Sequence, residues 1–391
     1  MNDDRFDELT DGRRLDRGEF LRRAAAAGVV FSSLDLLPGV ARAASGRAAG
    51  VPSPVHGSTV KLYCWQGYDD KYALAQYKAK YGVTVAPTYI AGDQEVFTKL
   101  GAQKGQGQWD LLTYNSGLAP QLYRRGILEP LAWSDAPNAA AIYPQFRRLP
   151  QIRTNVPGKV VGFPFSWGYQ GFIRTSKLPR MTSWKQIFDP KLKGRIVGVN
   201  DPTTSIATMA LALGFKDYAH LTKAQLEQVM AGWNRLRPSL RTIVSDYGAA
   251  KDLLVRGEID GCIPGWQAMV IWAGKDGKKL SHDIPKEGVY GFLDLLCLIK
   301  GSKNPETTKA YINFMLSPEA QAHLSADLSQ GITSAKAVPL LSKPLQDAYQ
   351  YANLATNFKR SPIGPLPANA SGGKYVSYAD WAQAWDRFTA G

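Results

Sequence analysis

Asp201 follows one apolar, strand-like run and Asp294 stands at the start of another, 295–300, and aromatic side chains recur at strand ends: Trp65, Tyr68, Trp167, Trp266, Tyr290 and Phe292. These residue types suit the capture of a cationic amine. Carboxylates pair with ammonium groups, while ring faces attract the charge and cover the methylenes between charges. Each residue also has a plainer account. An aromatic ring at a strand end serves equally in core packing. Asp201 precedes Pro202 and is first of all a helix N-cap. Asp294 would serve as a structural hydrogen-bond acceptor. Thr203, Thr204 and Ser205 crowd the same helix start, and a helix N-terminus favours an anion. An anionic or zwitterionic ligand, such as a carboxylate, amino acid or phosphonate, therefore stays open beside an amine.

Covalent chemistry has less support. A hydrolase needs a nucleophile with a placed base. The chain has no Gly-x-Ser-x-Gly elbow, no Gly-rich phosphate loop ending in Lys-Ser/Thr and no His-Glu-x-x-His. His56, His220, His282 and His323 are isolated and read as exposed loop or helix-end residues, without metal-ligand spacing. Cys64, Cys262 and Cys297 each sit in an apolar strand-like run and read as three buried thiols. No cofactor, metal or catalytic residue is expected.

The elements that would position the candidates form an α/β pattern. Residues 195–199 are apolar and β-branched, as a buried parallel strand should be. A helix opens at Asp201-Pro202, with Ile206, Met209, Ala210 and Leu213 on one face. Earlier, strands at 60–65, 83–86 and 109–113 alternate with helices at 69–81 and 93–104. Trp65 to Tyr68, and Asn115 with Ser116, then lie in loops at the carboxyl ends of successive strands. Right-handed crossovers put such loops on one edge of the sheet, where ligands bind. Residues 160–173 alternate and are rich in aromatics. The run 218–256 reads as mainly helical, and 257–266 reads as turn, strand and loop.

The N-terminus reads as an export signal over 1–43, followed by a flexible leader over 44–58. Basic residues precede the apolar run AAAAGVVF, and Ala41-Arg42-Ala43 fits a cleavage site. Arg17-Gly18-Glu19-Phe20-Leu21-Arg22 resembles a twin-arginine motif with Gly18 in place of the second Arg. Twin-arginine and general secretory export both stay open. Residues 1–43 carry seven Arg and eight acids, so the remainder is one unit more basic than the whole chain's +14. The basic residues are scattered, and no nucleic-acid motif accompanies them.

Several ordered motifs carry a family resemblance over 59–391. Trp184 with Phe188-Asp189-Pro190, then Lys193-Gly194, a strand and Asn200-Asp201-Pro202, resembles the bacterial extracellular solute-binding proteins of the spermidine/putrescine type. The run Asn313-Phe314-Met315-Leu316-Ser317-Pro318-Glu319-Ala320-Gln321 resembles a signature of the wider family. That resemblance implies a type II periplasmic-binding-protein fold. One lobe would comprise 59–166 plus 293–340 and the other 167–292 plus 341–391, joined by two hinge segments around a ligand cleft. It implies a monomeric, periplasmic or cell-envelope subunit that hands a small organic amine, polyamine-like, to an ABC permease. It also implies amine-contacting roles for Asp201 and Asp294, and ligand contact for the loops holding Trp65, Tyr68, Asn115 and Ser116. Thr204 departs from the polyamine binders, which place a second acid there. That removes one charge partner and keeps the anionic alternative in view.

Overall fold

The computed structural model describes residues 52–102, 107–368 and 373–391; the export signal and most of the leader lie outside them. The first half contains β1 (Thr59–Cys64), α1 (Lys71–Tyr81), β2 (Thr84–Tyr89), α2 (Asp93–Ala102), β3 (Leu111–Asn115) and α3 (Ala119–Arg124). β1 lies parallel to both β2 and β3, as the strand–helix alternation predicts. Local signals fix the ends of α1. The Asp70 carboxylate accepts the Tyr72 N–H at its start, and Gly82 closes it with φ 65°. That left-handed conformation suits glycine.

Two short strands, β4 (Leu131–Ala132) and β5 (Lys159–Val160), flank α4 (Pro144–Arg147) and pair with each other. Next comes a twelve-residue strand, β6 (Phe163–Arg174), buried over nearly its whole length. The second half then runs β7 (Ile196–Val199), α5 (Pro202–Ala212), α6 (Lys223–Leu236), β8 (Leu240–Val244), α7 (Tyr247–Arg256), β9 (Gly261–Trp266), α8 (Ala268–Lys275) and β10 (Ser281–Asp283). β11 (Tyr290–Leu298) is the second long strand, followed by α9 (Pro305–Met315), α10 (Pro318–Leu328) and β12 (Gly331–Ile332). The chain ends with α11 (Lys343–Ala348), α12 (Leu354–Arg360) and α13 (Tyr378–Ala390).

One curled sheet, apart from the β4–β5 pair, runs in the order β2-β1-β3-β11-β6-β9-β7-β8, with β10 and β12 added along β6. Its two ends mirror each other. β7 is parallel to β8 and β9, just as β1 is parallel to β2 and β3. The antiparallel pair β6 and β11 runs through the middle and belongs to both ends. Their pairing shifts register between Asp294 and Leu295. Ahead of that break β11 pairs only with β6; from Asp294 onward it also pairs with β3.

The structure departs from the sequence expectations in three places. Asn115, read as a loop residue, ends β3, and Tyr290, Phe292 and Asp294 lie inside β11 because its pairing with β6 begins before the apolar run. The run 218–256 includes β8 besides its helices. β8 is an edge strand, exposed at Arg241 and Thr242, so it lacks the continuous apolar signature of a buried one. His282 and His323 are half-buried rather than exposed. The His282 Nε2 accepts the Gly171 N–H at 3.0 Å, and burial lowers its pKa to about 4, which keeps the ring neutral. All three cysteines are buried and free, as expected.

Candidate ligand-binding site

The site grows from the register of β6 and β11. Tyr290 pairs with Gln170, Phe292 with Gly168 and Asp294 with Ser166, so these six residues share one face. Gly168 is required there. A Cβ at this position would lie 2.6 Å from the Phe292 ring and 2.8 Å from the Trp266 indole nitrogen. Glycine thus lets two aromatic rings close over the strand. Trp266 ends β9 and meets Phe292 at 6.0 Å and Tyr247 at 5.9 Å, both edge-on.

Asp294 is nearly inaccessible, at 6% exposure. Tyr68, in the loop after β1, donates its hydroxyl to the Asp294 Oδ2 at 2.5 Å. The same hydroxyl lies 3.0 Å from the Gln330 Oε1, which also accepts the Ser166 hydroxyl at 2.5 Å. Burial pushes the Asp294 carboxyl up to about 7; the Tyr68 hydrogen bond opposes that rise and the nearby charge of Asp93 adds to it. Asn115 stands opposite Asp294 on β3, and its side-chain Oδ1 accepts the Gly117 N–H at 2.8 Å.

Asp201 caps α5 from the other half. Its Oδ1 accepts the Thr204 N–H at 3.1 Å and its Oδ2 accepts the Tyr247 hydroxyl at 3.2 Å. The Thr204 hydroxyl is 3.1 Å from that of Tyr247, so one oxygen relays to the next. Burial raises the Asp201 pKa despite these donors. A matching relay runs alongside it. The Thr203 hydroxyl meets the Tyr378 hydroxyl at 2.7 Å, and Tyr378 donates to the Asp93 Oδ2 at 2.8 Å. Among the described residues no Lys, Arg or His forms an ion pair with Asp93, Asp201 or Asp294. Nor does any group of His, Cys, Asp and Glu among them suit a metal ion.

Of the sequence candidates, Tyr68, Asn115, Asp201, Thr204, Trp266, Tyr290, Phe292 and Asp294 come together in this one region. Trp65 is half-buried beside it, and its carbonyl accepts the Tyr68 N–H. Ser116 is fully buried; its N–H donates to the Leu293 carbonyl and its hydroxyl has no partner. Trp167 stands on the opposite face of β6. It is fully buried against Phe146, Tyr169, Tyr349 and Tyr351, with its N–H donated to the Ile332 carbonyl. Asp93, Ser166, Tyr247, Gln330 and Tyr378 escape the sequence reading. Asp93 and Tyr378 carry ordinary helix-start signals, and nothing local connects residues so far apart.

Comparison with known proteins places this geometry. A spermidine/putrescine-binding periplasmic protein of Haemophilus influenzae is 24% identical over 293 residues, spanning 74% of this chain and 79% of the relative. A putrescine-binding periplasmic protein of Escherichia coli is 26% identical over 310 residues, spanning 74% and 81%. The solved spermidine/putrescine ABC transporter substrate-binding protein of Streptococcus pneumoniae superposes with a TM-score of 0.69 at 18% identity, covering 85% of this chain and 99% of its own. The fold is the type II periplasmic-binding-protein fold that the sequence led us to expect. Among the described residues no helix is long and apolar enough to cross a membrane. The family is one of transport proteins that bind solutes rather than one of enzymes. Its model matches residues 72–353, well over half of the sequence, and the chain belongs to the bacterial extracellular solute-binding proteins.

Proposed function

We propose that this protein is the substrate-binding subunit of an ABC importer and captures a small organic amine, polyamine-like, between two lobes. The observation that carries this reading is the desolvated carboxylate of Asp294, facing aromatic rings with no cation among the described residues to neutralise it. Such a group is costly when empty and favourable when an ammonium pairs with it. Tyr68, Asn115, Asp201, Thr204, Trp266, Tyr290, Phe292 and Asp294 would line the site, with Trp65 and Ser116 at its margin. The relatives named for putrescine and spermidine point the same way.

The lobes would be 59–166 plus 293–340 and 167–292 plus 341–391, with β6 and β11 as the two crossings. A ligand that touches both lobes favours the closed arrangement by its differential affinity. The closed protein would dock as a monomer on its permease, outside the cytoplasm. Its task would be capture and delivery, without turnover.

The anionic alternative has less to support it. The Thr203 and Thr204 hydroxyls are already engaged with tyrosines, the Ser205 hydroxyl reaches the Val199 carbonyl, and the Thr204 N–H is taken by Asp201. An anion would also face two uncompensated carboxylates. A thermal-shift screen of the protein with putrescine, spermidine, amino acids, carboxylates and phosphonates tests the choice. A ligand at about a hundred times its Kd adds ~2.7 kcal/mol of stability. Stabilisation by amines alone is expected; stabilisation by anions alone would overturn the reading.

A further inference from the structure

Asp93 opens α2, in the first half of the sheet, and Tyr378 opens α13, which packs against the second half. Trp385 of α13 donates its N–H to the Asn200 Oδ1 at 2.8 Å and meets Trp233 of α6 edge-on. The Tyr378–Asp93 hydrogen bond therefore spans the two halves, 285 residues apart in sequence. It uses Oδ2 of the Asp93 carboxylate. Burial raises the Asp93 carboxyl's pKa, and the like charge of Asp201 adds to that rise. Asp93 in turn bears on Asp294. The Asp93 carbonyl accepts the Tyr114 hydroxyl on β3 at 3.4 Å. Two residues further along the chain, the fully buried Ser116 hydroxyl has no partner. Hydrogen bonds through Thr203 and Tyr378 thus link the start of α5, which Asp201 caps, to Asp93, and among the described residues no cation pairs with Asp93, Asp201 or Asp294.

We propose that Asp93 is a third charge partner of the ligand, one that pairs with the second ammonium of a dication, and that Tyr378 is the positioning residue that aims its carboxylate. This rests on the amine reading above and narrows it to ligands with two or more separated positive charges. A monoamine satisfies one acid and leaves the others facing each other; a diamine satisfies acids from both halves. Specificity for charge number would then come from the penalty of leaving a buried charge unpaired.

Calorimetric titration of the intact protein with putrescine and with 1-aminobutane tests this. The two ligands share a four-carbon chain and differ by one ammonium group. Asp93→Asn, which keeps the side-chain shape, is expected to weaken putrescine by about thirtyfold, the scale of losing one partner of a desolvated pair. It should change 1-aminobutane by no more than about twofold, the scale left to a charge that the single ammonium does not contact. Tyr378→Phe should weaken putrescine less, again sparing the monoamine, and Asp93→Glu should recover part of the loss. Equal effects on the two ligands, or none on either, would overturn the assignment of Asp93 while leaving the amine reading intact. Binding of neither amine by the unaltered protein would overturn both. Far-ultraviolet circular dichroism of each variant separates loss of binding from loss of fold.

Discussion

Replacing Asp294 by Asn should make the empty protein more stable and the ligand-binding protein worse. The carboxyl rises from 3.8 to about 7 on folding, mainly through burial between β3, β6 and the Tyr68 loop. Each unit is worth 1.36 kcal/mol, so the ionised group costs the folded state at most about 4 kcal/mol. The sign follows from proton linkage. A group whose folded pKa lies above its unfolded one binds more protons when folded, so its contribution is fully present below pH ~4 and is lost as the pH rises through about 7. An amide has no such dependence, and it can still accept the Tyr68 hydroxyl. Urea unfolding of both proteins without ligand should therefore agree near pH 4 and diverge toward pH 8, with the Asp294→Asn variant ahead by a few kcal/mol. Calorimetry with putrescine should show the opposite ranking, a loss of at least ~1.5 kcal/mol, because a charged hydrogen bond to the ammonium is gone. At pH 6 the unaltered protein should also release close to one proton on binding, seen by comparing buffers of different ionisation enthalpy. Equal stability of the two proteins at pH 8, with no proton released at pH 6, would refute the claim that Asp294 is buried without a countercharge.

Three further outcomes are expected. Gly168→Ala would push a methyl into Phe292 and Trp266, destabilising by about 1–3 kcal/mol in urea unfolding and weakening amine binding through the displaced rings. Asp201→Ala removes the cap of α5 and should cost about 1 kcal/mol in the same measurement; it should weaken putrescine as well, whereas a merely structural cap would leave affinity untouched. Cys64, Cys262 and Cys297 are buried, with their thiol pKa values pushed up by burial, to about 12 at Cys64. A thiol reagent at pH 8 should label none of them in the folded protein and all three in denaturant.

Much of the scaffold was legible because its signals are local. Asp201-Pro202 announces a helix start by capping chemistry, and the alternation of apolar strands with helices yields the parallel ends of the sheet. β8 was hidden because an edge strand needs no apolar run. The candidate site was legible in part by strand end but not by strand face. In an alternating strand, neighbours point to opposite sides, and a shift of one residue exchanges the faces. Trp167 is a cleft candidate in the sequence, whereas Gly168 beside it carries no such signal. Only the pairing of Gly168 with Phe292 shows that the glycine faces the rings, while Trp167 packs against Tyr349 and Tyr351. Gln330 and Tyr378 reach the site through tertiary folding alone, so no spacing rule could have found them.

On the proposed reading, the placement of Asp294 would give binding and closure a common origin. β6 and β11 cross between the halves together, and their pairing slips by one residue immediately after Asp294. A register break is where a paired ribbon bends most easily. A charge introduced at this residue therefore acts on the crossing itself rather than on a loop far from it. Without ligand, the folded state either carries the cost of an ionised buried carboxylate or takes up a proton. On the proposed reading an ammonium would offset that cost at Asp294, and Asp201, on the other half, would add a second charge contact to the same ligand. A neutral isostere of an amine would fill the same volume and contact the same rings, yet leave both carboxylates uncompensated. Discrimination between the two should accordingly exceed what their shapes predict, and it should shrink below about pH 6, where Asp294 is already neutral.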